Sequence, residues 1–255
     1  MALIRTDGLV LRTRDLGEAD KVVVLFTKDK GKMEAAARGA RRARSALLAA
    51  TQPFTLGHYL IFTNRSLHNL SQGQLLRSFR RLREDLLLLA EASYITELTD
   101  IGWPLEEEDE DTFYALLAAL DLLDCGAVPS ALVLRWYELQ LMRALGFLPE
   151  LDYCLDCRQP LVAMGGAEFF DPQGGGGVCH RCAPHRTGCL RISRDLLPTM
   201  RSLLSTASDN LASFPAGGAV MGQLEELMAS FIKERLEREP NSRVFLQALL
   251  NKEVK

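Results

Sequence analysis

Residues 21–27 read KVVVLFT, a run of β-branched and aromatic residues that is the strongest strand signal in the chain. The turn residues 29–32 follow it, and apolar and charged residues then alternate over 32–38, as in a half-buried strand. Further strands are expected at Leu9–Arg14, Phe54–Phe62 and Ser66–Gln72. Five short strands within about 70 residues predict a small β-barrel.

Helical periodicity begins beyond the barrel, at Gln74. An amphipathic helix is predicted from apolar residues three or four positions apart, namely Leu75, Phe79, Leu82, Leu86 and Leu89. Residues 102–104, Gly-Trp-Pro, should end that helix. The acidic run Glu106–Asp111 is expected to be a solvated loop whose carboxylates favour the start of the next helix. Later helices are predicted around residues 113–123, from Ser130 to Leu145, after Ser193, and around residues 224–231.

Charge is distributed unevenly along the chain, although the net charge is only −3. Residues 1–80 carry 14 basic and 6 acidic side chains, whereas residues 81–150 carry 4 and 15. The remainder, residues 151–255, is balanced. This asymmetry indicates separate modules and a polyanionic partner for the first of them.

Length and composition exclude several classes of protein. With 255 residues, 47% hydrophobic and 25% charged, the chain is neither disordered nor fibrous and is long enough for a large core. No apolar run approaches the length of a membrane span, and the amino terminus lacks a signal-peptide core, so a cytoplasmic location is expected. The phosphate-binding loop, the nucleophile elbow, the zinc-protease motif and the deaminase motif are all missing, which argues against catalysis by side chains.

Four of the six cysteines form two Cys-x-x-Cys pairs. The pairs are Cys154 with Cys157 and Cys179 with Cys182, separated by 21 residues. Two such turns can close a tetrahedron of sulfur atoms, which suits a structural Zn²⁺, one per chain. The alternatives are unconnected reduced thiols or a redox pair, and a catalytic zinc is disfavoured because four sulfur ligands leave no open position. Alternate ligands would be His180, His185 and Cys189.

The basic residues near the amino terminus resemble the electrostatic footprint of a nucleic-acid-binding module. We predict phosphate contacts from eight of them, namely Arg12, Arg14, Lys21, Lys32, Arg38, Arg41, Arg42 and Arg44. Candidate aromatic platforms for bases are Phe26, Phe54, Tyr59, Phe62 and Phe79, of which Phe26, Phe54 and Phe79 are expected in the core. Binding should therefore depend more on phosphates than on base stacking, with strong salt dependence.

The order of several short motifs resembles the bacterial RecO family of recombination mediators. The resemblance covers nearly the whole chain and rests on Asp7–Arg14, Gly17–Lys21, Leu25–Thr27, Gly31-Lys32, Arg38–Arg42, Gln52–Phe54, Arg83–Asp85, Leu145–Pro149, the two cysteine pairs and Ser242–Leu246. It implies an α+β multi-domain fold, with an N-terminal OB-fold β-barrel followed by an all-α domain that contains an inserted zinc-finger module with four cysteine ligands. The expected domains are residues 1–80, 81–149, 150–192 and 193–255, the second and fourth forming the helical domain.

The resemblance also implies a function in DNA repair and homologous recombination. It implies binding of single- and double-stranded DNA, annealing of complementary strands without ATP, and help in loading RecA onto strands coated with single-strand-binding protein. The implied partners are RecR and the C-terminal tail of single-strand-binding protein, the location is the bacterial nucleoid, and no membrane is involved. Annealing requires no chemical step, so we interpret the chain as non-enzymatic.

Two other functions compete with this interpretation. One is a zinc-stabilised protein-interaction scaffold whose basic barrel binds an acidic protein tail. The other is a metal-dependent hydrolase, which the closed four-thiolate site disfavours. A salt titration of DNA binding separates the mediator from the scaffold, since a protein that contacts several phosphates loses affinity steeply as salt rises.

Overall fold

The computed structural model describes residues 2–162, 165–166, 168–215 and 217–253. The chain forms two compact units, one of residues Met1–Cys125 with Pro240–Lys255 and the other of residues Gly126–Glu239. We call the first the barrel unit and the second the cysteine unit. The four-domain division with boundaries at residues 80, 149 and 192 remains a prediction.

Five strands close the barrel of the first unit in the order β1-β2-β3-β5-β4. Their bounds are β1 Leu3–Leu16, β2 Asp20–Thr27, β3 Gly31–Ala37, β4 Leu56–Phe62 and β5 His68–Arg77, with a short helix α1, Leu47–Ala50, between β3 and β4. All neighbouring strands are antiparallel except β3 and β5, which pair in parallel at only two positions. This order is that of an OB-fold, so the expectation of an N-terminal OB-fold barrel is confirmed.

Strand β2 is buried on both faces, which explains why its sequence is a continuous apolar run and not an alternating one. Val23 and Leu25 lie in the barrel core with Met33 and Ile61. On the opposite face of β2, the Phe26 ring meets Trp103 edge to face, with ring centroids 5.7 Å apart. Full burial of a side chain such as Phe26 stabilises the fold by roughly 2 kcal/mol. The predicted core positions of Phe26, Phe54 and Phe79 are confirmed, and Tyr59 is fully buried too.

Four helices complete the barrel unit. They are α2 Arg81–Glu84, α3 Leu86–Gly102, α4 Glu110–Cys125 and α8 Asn241–Glu253, the last of which the sequence analysis did not anticipate. The carboxylate of Asp85 caps α3 by accepting hydrogen bonds from the backbone N–H groups of Leu87 and Leu88, at 2.9 and 3.1 Å. Glu97 of α3 caps α8 in a similar way, since it accepts from the backbone N–H groups of Asn241 and Ser242.

The prediction that a helix begins at Gln74 is wrong. Strand β5 continues to Arg77, and the long helix begins only after Asp85. Leu75 and Leu76 remain more than 40% exposed on the strand, so the apolar positions that suggested a helical face do not all enter one core. Pairing with β4 determines the conformation here and overrides the local periodicity.

The cysteine unit combines three longer helices with a small sheet. The helices are α5 Ser130–Ala144, α6 Leu196–Ser205 and α7 Gly218–Leu236, and the strands are β6 Phe169–Asp171, β7 Gly176–Val178 and β8 Leu190–Arg191. The sheet order is β7-β6-β8. Phe170 of β6 packs edge to face on Phe231 of α7, which attaches the sheet to the helices. The described residues between 150 and 192 contain no α-helix, as predicted, although Ala183–His185 form a short 3-10 helix.

Candidate nucleic-acid interface and metal centre

The four paired cysteines lie together in the cysteine unit, as their spacing predicted. The Sγ atoms of Cys154, Cys157, Cys179 and Cys182 all lie within 4.8 Å of one another, and those of Cys157 and Cys179 are 3.9 Å apart. A tetrahedral ion with metal–sulfur distances near ~2.3 Å requires sulfur atoms just under about 4 Å apart. The cluster therefore fits a metal ion with four sulfur ligands.

Backbone hydrogen bonds hold the two cysteine turns against each other. The N–H of Leu155, in the first turn, donates to the carbonyl of Gly177 at 3.1 Å, and Gly177 in turn donates to Glu150 at 2.9 Å. A Cβ on the neighbouring Gly176 would lie 2.9 Å from the Glu150 carbonyl oxygen. Only glycine allows so close an approach, which explains the glycine run at residues 174–177.

Local hydrogen bonds lower the pKa of one of these thiols, which favours the thiolate form that binds a cation. Burial raises the pKa of the Cys154 thiol, but the backbone N–H groups of Cys179, Cys157 and Asp156 outweigh it and lower the pKa to about 7. At Cys182 the hydrogen bond with Cys179, burial and the other sulfur atoms raise the pKa. Four crowded sulfur atoms cannot all be thiolates without a positive charge among them, so the donor set favours a metal cation.

Arg186 ties both cysteine turns to the sheet. Its Nε atom donates to both carboxylate oxygens of Asp156, inside the first turn, at 3.0 Å each. Its Nη1 atom donates to Asp171 at the end of β6. This clamp has no signal in the sequence, because it joins three residues from separate segments.

Of the eight predicted phosphate contacts, three form ion pairs with the protein's own carboxylates, namely Arg12, Lys32 and Arg41, and the first two of these meet Asp100. Arg12 donates to Asp100 of α3 and lies 3.4 Å from Glu34. The Lys32 ammonium donates to the Asp100 carbonyl, lies 3.5 Å from its carboxylate and is only 11% exposed. The sequence analysis missed Asp100, which lies 68 residues from Lys32.

The acidic run is largely exposed to solvent, as expected, but two of its carboxylates also contact the barrel. Its members Glu108 and Glu110 form ion pairs with Lys30 and Lys28, the second at 3.1 Å. These contacts raise the pKa of both lysines, together with a hydrogen bond between Lys28 and Tyr114, which is the largest cause at Lys28. The run therefore neutralises one basic edge of the barrel. The predicted effect on the next helix also holds, since α4 begins at Glu110.

Backbone contacts fix the acidic run in this position. The N–H of Glu106 donates to the Lys32 carbonyl at 2.9 Å, and the indole N–H of Trp103 donates to the Glu107 carbonyl at 2.9 Å. Gly31, the first residue of β3 after the turn, has a φ of +56°, and a Cβ there would lie 1.8 Å from the backbone carbonyl oxygen of Glu107. The turn and the acidic run thus form one packed structure.

The other predicted cations lie around the β1–β2 turn and the segment that follows β3, at the other end of the strands from the β2–β3 turn. Arg41 connects that segment to the β1–β2 turn: its backbone N–H donates to the Ala19 carbonyl at 2.9 Å, and its side chain lies 3.3 Å from Asp15. We call the segment 38–44 the arginine loop. The remaining members of the set form no ion pair with any residue that the structure describes, namely Arg14, Lys21, Arg38, Arg42 and Arg44.

Most of the candidate aromatic platforms are buried and cannot stack on bases. Phe26, Phe54, Tyr59 and Phe79 are each no more than 2% exposed. Phe62 is half-buried at the end of β4. The barrel surface thus offers cations to a polyanion but few aromatic faces to bases.

These features define an OB-fold protein whose barrel unit carries an exposed cationic loop and whose second unit carries a four-cysteine cluster. The comparisons with known proteins agree. Residues 1–79 match the family described as "Recombination protein O N terminal", and residues 83–244 match "Recombination protein O C terminal". The chain belongs to the RecO family of DNA repair proteins, and this membership supports a role in DNA repair and recombination.

Individual relatives match over most of their length. The chain is 39% identical over 249 residues to the DNA repair protein RecO of Symbiobacterium thermophilum, which covers 98% of each chain. It is 32% identical over 236 residues to that of Alkaliphilus metalliredigens, covering 92% of this chain and 95% of the relative. It is 38% identical over 180 residues to that of Bacillus pumilus, covering 71% of this chain and 68% of the relative. Among the described residues, no helix is both long and apolar enough to cross a membrane.

Proposed function

We propose that the chain is a non-enzymatic recombination mediator that binds single- and double-stranded DNA and anneals complementary strands without ATP. It then helps to load RecA onto strands coated with single-strand-binding protein. The observation that supports DNA binding most directly is the arginine loop, where exposed cations from two turns of the barrel share one end. Family membership supplies the context of repair.

Annealing by such a surface is an electrostatic process. Two complementary strands repel each other through their phosphates, and cations that neutralise phosphates on both strands lower this repulsion and raise their local concentration. Release of condensed counterions supplies much of the binding free energy. The proposed contacts are the predicted cations that Asp100 does not engage, namely Arg14, Lys21, Arg38, Arg41, Arg42 and Arg44.

The metal of the cysteine cluster is zinc in this proposal, one ion per chain and structural. Zinc prefers four thiolates in a tetrahedron, and a site with four sulfur ligands leaves no position for a reacting water. When bound, it supplies folding free energy to the surrounding turns. Cys154, Cys157, Cys179 and Cys182 would hold it, and Arg186 would keep the two turns in register.

Family membership is the support for the proposed partners. We propose RecR and the C-terminal tail of single-strand-binding protein as direct partners and RecA as an indirect one, at the bacterial nucleoid in the cytoplasm. We assign neither protein partner to a surface of this chain.

The test is an annealing assay with complementary oligonucleotides at low salt, without nucleotide. The wild-type protein should accelerate annealing several-fold. Reversal of two loop charges, Arg41→Glu with Arg42→Glu, should abolish most of this acceleration because it replaces two phosphate contacts with two repulsive charges. Both side chains are exposed, so the melting temperature should change little.

The matched control is Arg191→Glu with Arg238→Glu, which changes the net charge equally at two exposed arginines of the cysteine unit. This control should anneal at nearly the wild-type rate. Annealing that proceeds no faster with the wild-type protein than without it would overturn the mediator proposal. Retained binding of an acidic peptide in that case would favour the scaffold alternative.

A further inference from the structure

A polar groove lies on the outer face of the barrel where β1, β4 and β5 run side by side. It has a volume of about 560 Å³. Its lining comes from three strands and from the start of α1, namely Arg5, Ala46, Leu47, His58, Leu60, Ser71, Gln72, Gly73 and Gln74. A groove of this size is within the range of pockets that hold small organic ligands.

Strand register places the polar side chains of the groove in two rows. Leu60 pairs with Arg5 on one side and with Gln72 on the other. In the next row, His58 pairs with Asp7 and with Gln74. Side chains two positions apart on a strand face the same way. Both rows therefore point outward.

The opposite orientation of Tyr59 confirms the outward direction of these rows. Tyr59 lies between His58 and Leu60 on β4, is fully buried in the barrel core, and donates a hydrogen bond from its hydroxyl to the Ala50 carbonyl at 2.6 Å. The register of β4 and β5 shifts beyond Leu60, so that β5 bulges at Ser71. A bulge re-aims side chains locally and leaves Ser71 and Gln72 both exposed.

The chemistry of the lining suits a planar heterocycle with hydrogen-bonding edges. Leu47 and Leu60 supply apolar surface, while the amides of Gln72 and Gln74 each offer donors and an acceptor. Glutamine amides pair with the edges of bases in this way. His58 is held by a 2.8 Å contact between its Nδ1 atom and the Asp7 carboxylate, the one acidic group in the two rows.

The groove adjoins the arginine loop along the chain. Ala46 and Leu47 line the groove, and Arg44 precedes Ala46 by only two residues, a span of at most about 7 Å. At the groove itself, Arg5 is exposed and forms no ion pair with any described residue. Cations therefore border the groove, which is the arrangement that a phosphate backbone with bases turned to one side requires.

We propose that this groove binds the unpaired bases of a single DNA strand whose phosphates lie on the arginine loop. The inference rests on the proposed function and deepens it. In a duplex the bases are stacked inside the helix, and a base can enter this concave groove and meet the amides of Gln72 and Gln74 only after it has left the stack. The groove thus gives the barrel a preference for single strands that charge alone would not supply.

The experiment measures the affinity of the full chain for three fluorescent probes by anisotropy. The probes are a single strand of mixed sequence, a strand of the same length with abasic positions in its centre, and the matching duplex. The variant is Gln72→Ala with Gln74→Ala. The control is Gln159→Ala with Gln173→Ala, two exposed glutamines of the cysteine unit.

The wild-type protein should bind the intact single strand at least about fivefold more tightly than the abasic strand, since one bidentate contact between an amide and a base contributes about that factor or more. The groove variant should lose this difference and keep its duplex affinity, while the control keeps both. Equal wild-type affinity for the intact and abasic strands would overturn the inference without any variant. Equal loss of single-strand and duplex affinity in the groove variant would overturn it too.

Failure of the groove and failure of the proposed function give different results. If the groove variant behaves as wild type while Arg41→Glu with Arg42→Glu weakens all three probes, the groove inference fails and DNA binding by the loop stands. If the wild-type protein binds none of the probes, the proposed function itself fails.

Discussion

Individual side chains decide which cations of the barrel are available to DNA. Lys28 and Lys30 lie opposite Glu110 and Glu108, and Arg12 lies opposite Asp100. An exposed ion pair contributes little to stability, typically below about 1 kcal/mol. Its consequence for binding is larger, because a cation that already faces a carboxylate gains less from a phosphate. In the proposed complex with DNA, the acidic run would compete for Lys28 and Lys30 and Asp100 would compete for Arg12, which leaves the arginine loop as the proposed contact surface.

This restriction can be tested by removing two of the charges. Glu108→Gln with Glu110→Gln should raise the affinity for duplex DNA several-fold at low salt, because Lys28 and Lys30 then become available. The slope of log K against log salt should steepen by about 1 to 2, one contact adding about 0.9. The measurement is duplex binding across a salt series.

A matched control separates the local effect from net charge. Glu226→Gln with Glu234→Gln makes the same charge change at two exposed carboxylates of α7 and should leave the slope unchanged. Equal behaviour of the two variants would show that the acidic run does not compete with DNA.

At the scale of elements, the sequence predicted those features whose signal is local. The apolar run 21–27 identified β2, Gly146 and Pro149 marked the end of α5, and the spacing of the cysteines predicted the cluster of four sulfur atoms. Each of these signals lies within a few residues or uses residue types with one dominant role. The resemblance to a known family, carried by motifs in order, supplied the OB-fold.

Long-range pairing could not be predicted in the same way. The acidic run looks like a solvated loop in isolation, and only the fold brings Glu108 next to Lys30, 78 residues away. The groove depends on register, since Arg5, Leu60 and Gln72 form a row only after β1, β4 and β5 have paired. The leucines at positions 75 and 76 also favoured a helix where β5 continues.

The cysteine turns are the element whose removal has the clearest expected outcome. Cys154→Ser with Cys157→Ser should release the metal and destabilise the cysteine unit by several kcal/mol, because binding is coupled to folding. Metal analysis should find one zinc per wild-type chain and none in the variant, and the melting temperature should fall. Cys125→Ser with Cys189→Ser is the control and should retain the metal. A metal-free wild-type protein, or an unchanged melting curve in the variant, would contradict the assignment.

For the whole molecule, the charge pattern matters more than the net charge. Residues 1–80 carry +8 and residues 81–150 carry −11, yet part of each is neutralised by the other inside the barrel unit. Around the arginine loop, the six proposed cations exceed the carboxylates of Asp15, Glu18 and Asp20. A protein with an overall negative charge can therefore still present a positive surface to DNA.

This pattern predicts the salt dependence of the whole protein. If the six proposed cations each contact one phosphate, log K for duplex DNA should fall with log salt with a slope of about −5.4. Fluorescence anisotropy between low and moderate salt measures it directly. A slope near zero would mean that phosphate contacts contribute little and would leave the arginine loop without its proposed role.

The close approach at Gly31 has a consequence that is steric and not electrostatic. A methyl group at this position would overlap the Glu107 carbonyl, since its Cβ would lie 1.8 Å from that oxygen. Gly31→Ala would therefore push the β2–β3 hairpin away from the acidic run that covers it, without changing any ionisable group. Because residue 31 carries only a hydrogen atom in place of a side chain, the acidic run can pack closely enough to screen Lys28 and Lys30. The steric fit at this one position therefore sets how much positive surface the barrel displays.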